Sequence, residues 1–200
     1  MLERRRFLPL LALAPAALFG RRAAAADPAG FVREVGDQLV AVINSSDSMA
    51  SKRGQLQKII DRNVDVDGIA RFCLGRFWRT ATPQQQQDYL ALFHQVMVNS
   101  IAGHLGEYKG VRYTLGRVAP HDDTVWVDTT IKRPNNPDAD VQWVIANANG
   151  GQKIEDLVVE GTSLRLTQRS DYASYLQHNG ENVQSLIGAM QRMLARQSQG

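Results

Sequence analysis

The residues that could carry acid–base or metal chemistry are few and scattered along this sequence. His104 and Glu107 lie three positions apart, on one face of a predicted helix, but two ligands without a third are weak evidence for a metal. Asp65 and Asp67 flank a turn, where helix capping explains them better than a general acid–base pair does. Ser163 has no neighbouring base, and the sequence lacks GxSxG, HExxH and phosphate-binding glycine motifs. The sequence therefore predicts no catalysis, no metal site and no cofactor.

The segment around Gly75 contains a cysteine and three aromatic residues that could belong to a core or to a binding site. Cys73 is the only cysteine, so the chain has no internal disulfide, and we interpret its thiol as a small buried apolar group. Phe72, Phe77 and Trp78 surround a predicted helix break at Gly75. The pattern allows two interpretations of these rings. They either fill the core where two helices meet or line the entrance of an apolar cavity.

Residues 1–26 are typical of an export signal that is cleaved after translocation. Three arginines at 4–6 precede an apolar run over 7–20, and the alanines at 24–26 offer a small-residue cleavage site. The paired arginines fit a twin-arginine signal as well as the general secretory route. The alternative is an N-terminal membrane anchor. We expect export to the periplasm and a mature domain over residues 27–197.

Removing this signal changes the charge of the chain. The whole sequence has a formal net charge of +3, whereas residues 27–200 contain 18 basic and 19 acidic residues. Phosphate binding along a nucleic acid requires a concentrated basic surface, which this balance does not provide. The mature chain also has no second apolar stretch of membrane-spanning length. We therefore predict a soluble, monomeric domain with no nucleic-acid partner.

A long central helix is the strongest element in the sequence. Thr82 is a good N-cap, Pro83 suits the first helical position, and Gln85 stands where a capping-box partner would. Reaching about Gly106, this helix would be roughly 35 Å long. Shorter helical patterns precede it near residues 28–43, 56–60 and 66–73. Its own apolar residues recur at helical spacing: Tyr89, Leu92, Phe93, Val96, Met97, Ile101 and Leu105.

After Tyr108 the apolar period changes from helical to two. Four alternating segments follow, joined by short polar connections such as Asn149-Gly150-Gly151, which predicts an antiparallel meander. Helical patterns return over residues 171–176 and 183–194. This order predicts an α+β domain in which a curled four-stranded antiparallel sheet packs on a helical layer. Periodicity leaves open whether side chains fill the concave face of that sheet or leave a cavity.

Two sequence blocks carry a resemblance to a known family. The first is LGRFWR at residues 74–79 followed by TPQQ at 82–85, and the second is DLVVEGTSL at 156–164 followed by RSDY at 169–172. In order and spacing, they resemble the MlaC family, also called the toluene-tolerance family. Thr162, where an aliphatic residue is commoner, and Phe77, where tyrosine is common, depart from that pattern. The likeness covers nearly all of residues 27–197.

The resemblance implies a periplasmic lipid-binding protein rather than an enzyme. Members of the family carry phospholipid between an outer-membrane complex and an inner-membrane ABC transporter, which maintains the lipid asymmetry of the outer membrane. Their fold places acyl chains between the sheet and the helices. Moving an acyl chain out of a bilayer costs about 0.8 kcal/mol per CH₂, so a carrier must offer nearly equivalent apolar surroundings.

We hypothesise that apolar residues from the long helix and the sheet form the wall of this cavity. Three alternatives stay open: a carrier of another lipid such as a hopanoid, a cone-shaped (NTF2-like) enzyme acting on a small apolar substrate, and an adaptor that binds only membrane proteins. Co-purified lipid would favour a carrier, and a filled core would favour the adaptor. The predicted lipid-binding residues are Phe72, Trp78, Phe93, Met97, Ile101, Val111, Tyr113, Val127, Trp143, Ile145, Leu157 and Val159.

Overall fold

A computed structural model describes residues 27–148 and 150–197. The predicted export signal at residues 1–26 lies outside the described residues, so it stays a prediction. Among the described helices, none combines the length and the apolar character that crossing a bilayer requires.

Within residues 27–148 and 150–197, six α-helices form the helical part of the domain, and local sequence signals explain where several of them begin. The Asp27 side chain accepts the Gly30 N–H at the start of the first helix. Thr82 and Gln85 form the predicted capping box, in which each side chain accepts the backbone N–H of the other residue. The helices are α1 (Pro28–Asn44), α2 (Met49–Asn63), α3 (Val66–Leu74), α4 (Pro83–His104), α5 (Leu164–His178) and α6 (Val183–Gln197).

The sheet is antiparallel, and its strands lie side by side in chain order. The prediction of four strands was incomplete, because a two-residue fifth strand pairs with the end of the fourth. Register shifts between Leu115 and Val118 and between Val144 and Ile145 bend the strands. The strands are β1 (Arg112–His121), β2 (Thr124–Lys132), β3 (Ala139–Ala148), β4 (Gly151–Val159) and β5 (Thr162–Ser163).

Helix α5 begins earlier than the sequence pattern predicted. Its first residue is Leu164 rather than Asp171, and Ser163 caps it by accepting the Leu166 N–H. Leu164 and Leu166 are both exposed, and their spacing of two residues is not helical, so periodicity gave no signal for the first turn. The N-terminus of α5 is therefore held by hydrogen bonds rather than by a buried stripe.

The predicted break at Gly75 is present, and it separates α3 from a 3₁₀ turn over Gly75–Arg79. Gly75 has φ +60° and ψ −130°, a conformation that favours glycine. Phe77 is only 4% exposed and belongs to the helical core, as the core interpretation of this ring predicted. Phe72 and Trp78 are half-buried against the same core.

Two clusters of buried side chains make up the core. The helical cluster joins α2 to α6 and includes Leu56, Tyr89, Leu176 and Ile187. The sheet cluster packs one face of α1 on the concave face of the sheet and includes Val127. Leu39 and Val64 contact both clusters, and the space between the clusters is only partly filled.

Candidate ligand-binding cavity

An apolar cavity of about 410 Å³ lies between the two clusters. Helices α1 to α5 and the strands β3 and β4 all contribute to its wall. Most of this wall is hydrocarbon, which suits an apolar ligand. The lining residues are Val35, Leu39, Leu56, Ile59, Ile60, Val64, Ile69, Cys73, Phe93, Val96, Met97, Ser100, Ile101, Trp143, Ile154, Asp156, Leu157, Leu164, Arg165, Gln168 and Tyr172.

The C-terminal half of α4 forms one side of the cavity. Phe93, Val96, Met97, Ser100 and Ile101 follow the i, i+3, i+4, i+7, i+8 spacing that places side chains on one helical face. Burial decreases along this series, from a buried Phe93 to Ile101, which is 42% exposed. The end of the cavity near Ile101 is therefore its open end.

The sheet forms the opposite side through Trp143, Ile154 and Leu157. Trp143 pairs with Leu157 across β3 and β4, so both side chains lie on the same face. The Trp143 indole Nε1–H donates to Thr129 Oγ1 at 2.9 Å, and Thr129 Oγ1 in turn donates to the carbonyl of Val141 at 3.0 Å. These bonds satisfy the buried polar atoms and fix the orientation of the indole ring.

Charged groups of the lining gather where β4 meets the start of α5. Asp156 is 6% exposed, and its carboxylate accepts the backbone N–H groups of Leu157 at 2.8 Å and Arg165 at 3.0 Å. It also accepts the hydroxyl proton of Ser163. Arg165 Nε lies 3.5 Å from Asp156 Oδ2, and Arg165 Nη1 lies 3.2 Å from Glu155 Oε1. Asp156 is thus fully engaged in holding α5 against the sheet.

Two further lining residues carry groups that ionise at high pH. Burial raises the pKa of the Cys73 thiol to about 12, and the Asp156 carboxylate adds to this shift. Burial also raises the pKa of Tyr172, whose ring packs edge-on against Tyr89 and Phe93. Both groups therefore stay protonated at neutral pH, and the Cys73 thiol donates a weak hydrogen bond to the carbonyl of Arg165.

Five of the twelve predicted lipid-binding residues border this cavity: Phe93, Met97, Ile101, Trp143 and Leu157. The other seven do not line it. Val127 and Ile145 are buried in the sheet cluster, because α1 covers that part of the concave face. Tyr113 donates its hydroxyl proton to the carboxylate of Asp37 at 2.7 Å on the outside of α1. The remaining four are Phe72, Trp78, Val111 and Val159.

Sequence reasoning missed the contribution of α1, α2 and α5 to the cavity. The apolar faces of α1 and α2 were visible in the sequence, but periodicity does not tell which element a helix packs against. Asp156 and Arg165 carried no usable signal, because the Asp156 carboxylate accepts an N–H nine residues further along the chain, beyond the reach of a helix-capping pattern.

Comparison with known proteins decides the family. The family model described as MlaC protein matches residues 33–192. The chain belongs to the MlaC family. Among curated proteins, it is 26% identical over 147 residues to the toluene tolerance protein ttg2D of Pseudomonas putida, which covers 72% of this chain and 68% of that protein.

A solved structure shows that the fold is shared. This MlaC-family chain matches the phospholipid-binding protein from Ralstonia solanacearum, solved in complex with a phospholipid, with a TM-score of 0.74 and 22% sequence identity. The match covers 86% of this chain and 99% of that one. The resemblance to the MlaC family and the predicted α+β class, an antiparallel sheet packed on helices, are thereby confirmed.

Proposed function

We propose that this MlaC-family protein is a soluble periplasmic carrier of phospholipid. In this proposal it moves phospholipid between an outer-membrane complex and an inner-membrane ABC transporter and so maintains outer-membrane lipid asymmetry. The observation that carries the proposal is the apolar cavity between the sheet and α4, which offers acyl chains an environment close to that of a bilayer. Family membership and the phospholipid bound to the similar protein from Ralstonia solanacearum support the same conclusion.

The size of the cavity sets its capacity. A water molecule takes up ~30 Å³ in the liquid, and a methylene group is of similar size. A cavity of about 410 Å³ therefore accommodates roughly one acyl chain. A second acyl chain of the same lipid would either widen the cavity or lie outside it along Ile101 and Leu164. These two side chains are 42% and 47% exposed at the open end.

The state of the polar lining groups argues for a carrier over an enzyme on the same scaffold. An enzyme would need a side chain that exchanges a proton or attacks a substrate inside the pocket. The Cys73 thiol and the Tyr172 phenol have raised pKa values and stay neutral. The oxygens of Asp156 are occupied by the start of α5. The lining therefore supports binding rather than catalysis.

Lipid extraction from the native protein tests the central claim. The full chain would be expressed in a Gram-negative host and purified from the periplasmic fraction without detergent. Mass spectrometry of its organic extract should show phospholipid at about one molecule per chain. A lipid-free sample that takes up no phospholipid from vesicles would refute the proposal. An extract dominated by hopanoid would show that the protein carries hopanoid rather than phospholipid.

The transfer step needs a separate experiment. Vesicles bearing the outer-membrane complex would hold a fluorescent phospholipid, and vesicles bearing the ABC transporter would hold none. Adding the protein should speed the appearance of fluorescence in the second population. Transfer at the same rate between protein-free vesicles would count against specific docking.

A further inference from the structure

The apolar cavity is closed at one end and open at the other. Along α4, burial decreases from Phe93, which is 5% exposed, to Ile101, which is 42% exposed. Along α5, burial changes in the opposite chain direction, from Leu164 at 47% exposed to Tyr172 at 8% exposed. The rings of Phe93 and Tyr172 pack edge-on with their centroids 6.3 Å apart. Phe93 and Tyr172 therefore form the aromatic floor of the cavity.

Tyr89 supports this aromatic floor from behind. It does not line the cavity, it is fully buried, and its ring centroid lies 5.8 Å from that of Phe93 and 6.2 Å from that of Tyr172. Its hydroxyl donates to the carbonyl of Ala70 at 2.8 Å, which anchors the ring to α3. Side chains packed as closely as this leave no room for a further methylene group. An acyl chain that reaches the aromatic floor therefore cannot extend past it.

The volume of the cavity determines how long a chain can be before it reaches the aromatic floor. Since a methylene group takes up ~30 Å³, like a water molecule in the liquid, a cavity of about 410 Å³ holds about 14 carbon atoms of one chain. The carbons nearest the headgroup lie at the open end, beside Ile101 and Leu164. A chain of up to about 16 carbons therefore fits.

We infer that Phe93 and Tyr172 set an upper limit on the acyl chain length of the lipid that this protein carries. This inference rests on the proposed function, since it needs an acyl chain in the cavity. A chain above the limit leaves methylene groups outside the cavity, and each one left in water lowers relative binding about fourfold. A chain two carbons too long should therefore load about tenfold less than a chain that fits.

Competitive loading measures this limit. Lipid-stripped protein would be incubated with vesicles of dipalmitoleoyl phosphatidylcholine that contain equal small amounts of the myristoyl, palmitoyl, stearoyl, arachidoyl and behenoyl lysophosphatidylcholines. Each lysolipid has one chain and the same headgroup, so only chain length varies. Mass spectrometry would compare the bound lysolipids with those left in the vesicles. The wild-type protein should load the myristoyl and palmitoyl forms well and the stearoyl form about tenfold less.

Two substitutions on α4 should move the limit in opposite directions. Phe93→Val removes about four carbon atoms from the aromatic floor, and because Tyr89 is held in place behind it, the limit should rise by about two carbons. The stearoyl form should then load nearly as well as the palmitoyl form. Val96→Phe adds a ring about one helical turn nearer the open end. The palmitoyl form should then load about tenfold less than the myristoyl form.

Phe77→Val is the matched control for Phe93→Val. Phe77 is 4% exposed, close to the value for Phe93, and it belongs to the helical cluster but does not line the cavity. The same buried ring is lost, so Phe77→Val should lower stability while leaving the chain-length profile unchanged. If Phe93→Val fails to fold, Val96→Phe and the wild-type profile still decide the matter.

The outcomes separate this inference from the proposed function. Equal loading of every chain length by the wild-type protein, or a profile that neither Phe93→Val nor Val96→Phe alters, would overturn the length limit alone. A wild-type protein that loads neither the dipalmitoleoyl lipid nor any lysolipid would overturn the carrier function itself.

Discussion

The two halves of α4 lie in different surroundings although one helical pattern runs through both. In the first half, the Tyr89 hydroxyl donates to the carbonyl of Ala70 at 2.8 Å, and the Tyr89 ring lies 5.8 Å from Phe93 and 6.2 Å from Tyr172. In the second half, Met97 is half-buried and borders the cavity. The first half is packed solid, and the second half is hollow on one side.

The difference shows that the partners of a helix decide whether its apolar face builds a core or a binding site. Residues of α3 and α5 pack beside the first half, through Ala70 and Tyr172. The second half faces Trp143 and Leu157 across the cavity. Substitutions in the solid half should therefore change stability, whereas those in the hollow half should change ligand capacity.

The largest effect on stability is expected at Leu176, a residue of α5 in the helical cluster. Leu176 is fully buried in the helical cluster, so Leu176→Ala should lower the free energy of unfolding by about 2–5 kcal/mol. Met97→Ala should cost clearly less, because its side chain already borders empty space. Urea unfolding of lipid-stripped proteins, followed by circular dichroism, measures both. Equal losses at the two positions would contradict the contrast between the halves.

Filling the hollow half should separate loading from stability. Met97→Trp places an indole ring in the cavity, so phospholipid loading should fall severalfold, while the unfolding free energy should fall by less than the about 1–3 kcal/mol that overfilling a packed core costs. Gln95→Trp adds the same ring to an exposed position on α4 and serves as the control. Loading would be counted by mass spectrometry. Unchanged loading in Met97→Trp would show that acyl chains do not occupy this cavity.

A smaller effect is expected at the start of the solid half. Thr82→Ala removes the side chain that accepts the Gln85 N–H, and loss of such a cap costs about 1 kcal/mol. The cap lies far along α4 from the cavity residues, so lipid loading should not change. Thermal melts and loading measurements on the same sample test both statements. A change in loading would mean that the two halves of α4 are coupled.

The helix starts, the helix break and the strands were predicted correctly because short stretches of sequence determine them. The capping box of Thr82 and Gln85 and the break at Gly75 arise from interactions within a few residues, and the period-two segments arise from the alternation of side chains along a strand. These are the interactions that a sequence pattern records. The order of helices and strands and the α+β class followed from them.

The cavity depended on contacts that no local pattern records. Val127 and Trp143 pair directly across β2 and β3 and share a face, yet only Trp143 reaches the cavity, because α1 covers Val127. The position of α1 is set by its packing on the sheet through Val32 and Val35. The place of Arg165 in the cavity wall likewise depended on the buried Asp156 carboxylate, which accepts the Arg165 N–H in the first turn of α5.

Cys73 lies at the junction of the solid and hollow regions. It belongs to the helical cluster and also borders the cavity, so the reactivity of this single cysteine reports how far the hollow extends. With a pKa of about 12, its alkylation in folded, lipid-free protein should accelerate about tenfold per pH unit between pH 7 and pH 10. In urea-unfolded protein the rate should level off above pH ~9.5, since an unperturbed thiol ionises near pH 8.5.

Lipid loading should slow the alkylation of Cys73 further, because an acyl chain in the cavity would block the approach of the reagent. Iodoacetamide labelling followed by mass spectrometry gives the rate in each state. Loading that leaves the rate unchanged would place the acyl chain only beside Met97 and Ile101. The solid region would then extend from Tyr89 across α3 to Cys73, and the binding site would be confined to the open end.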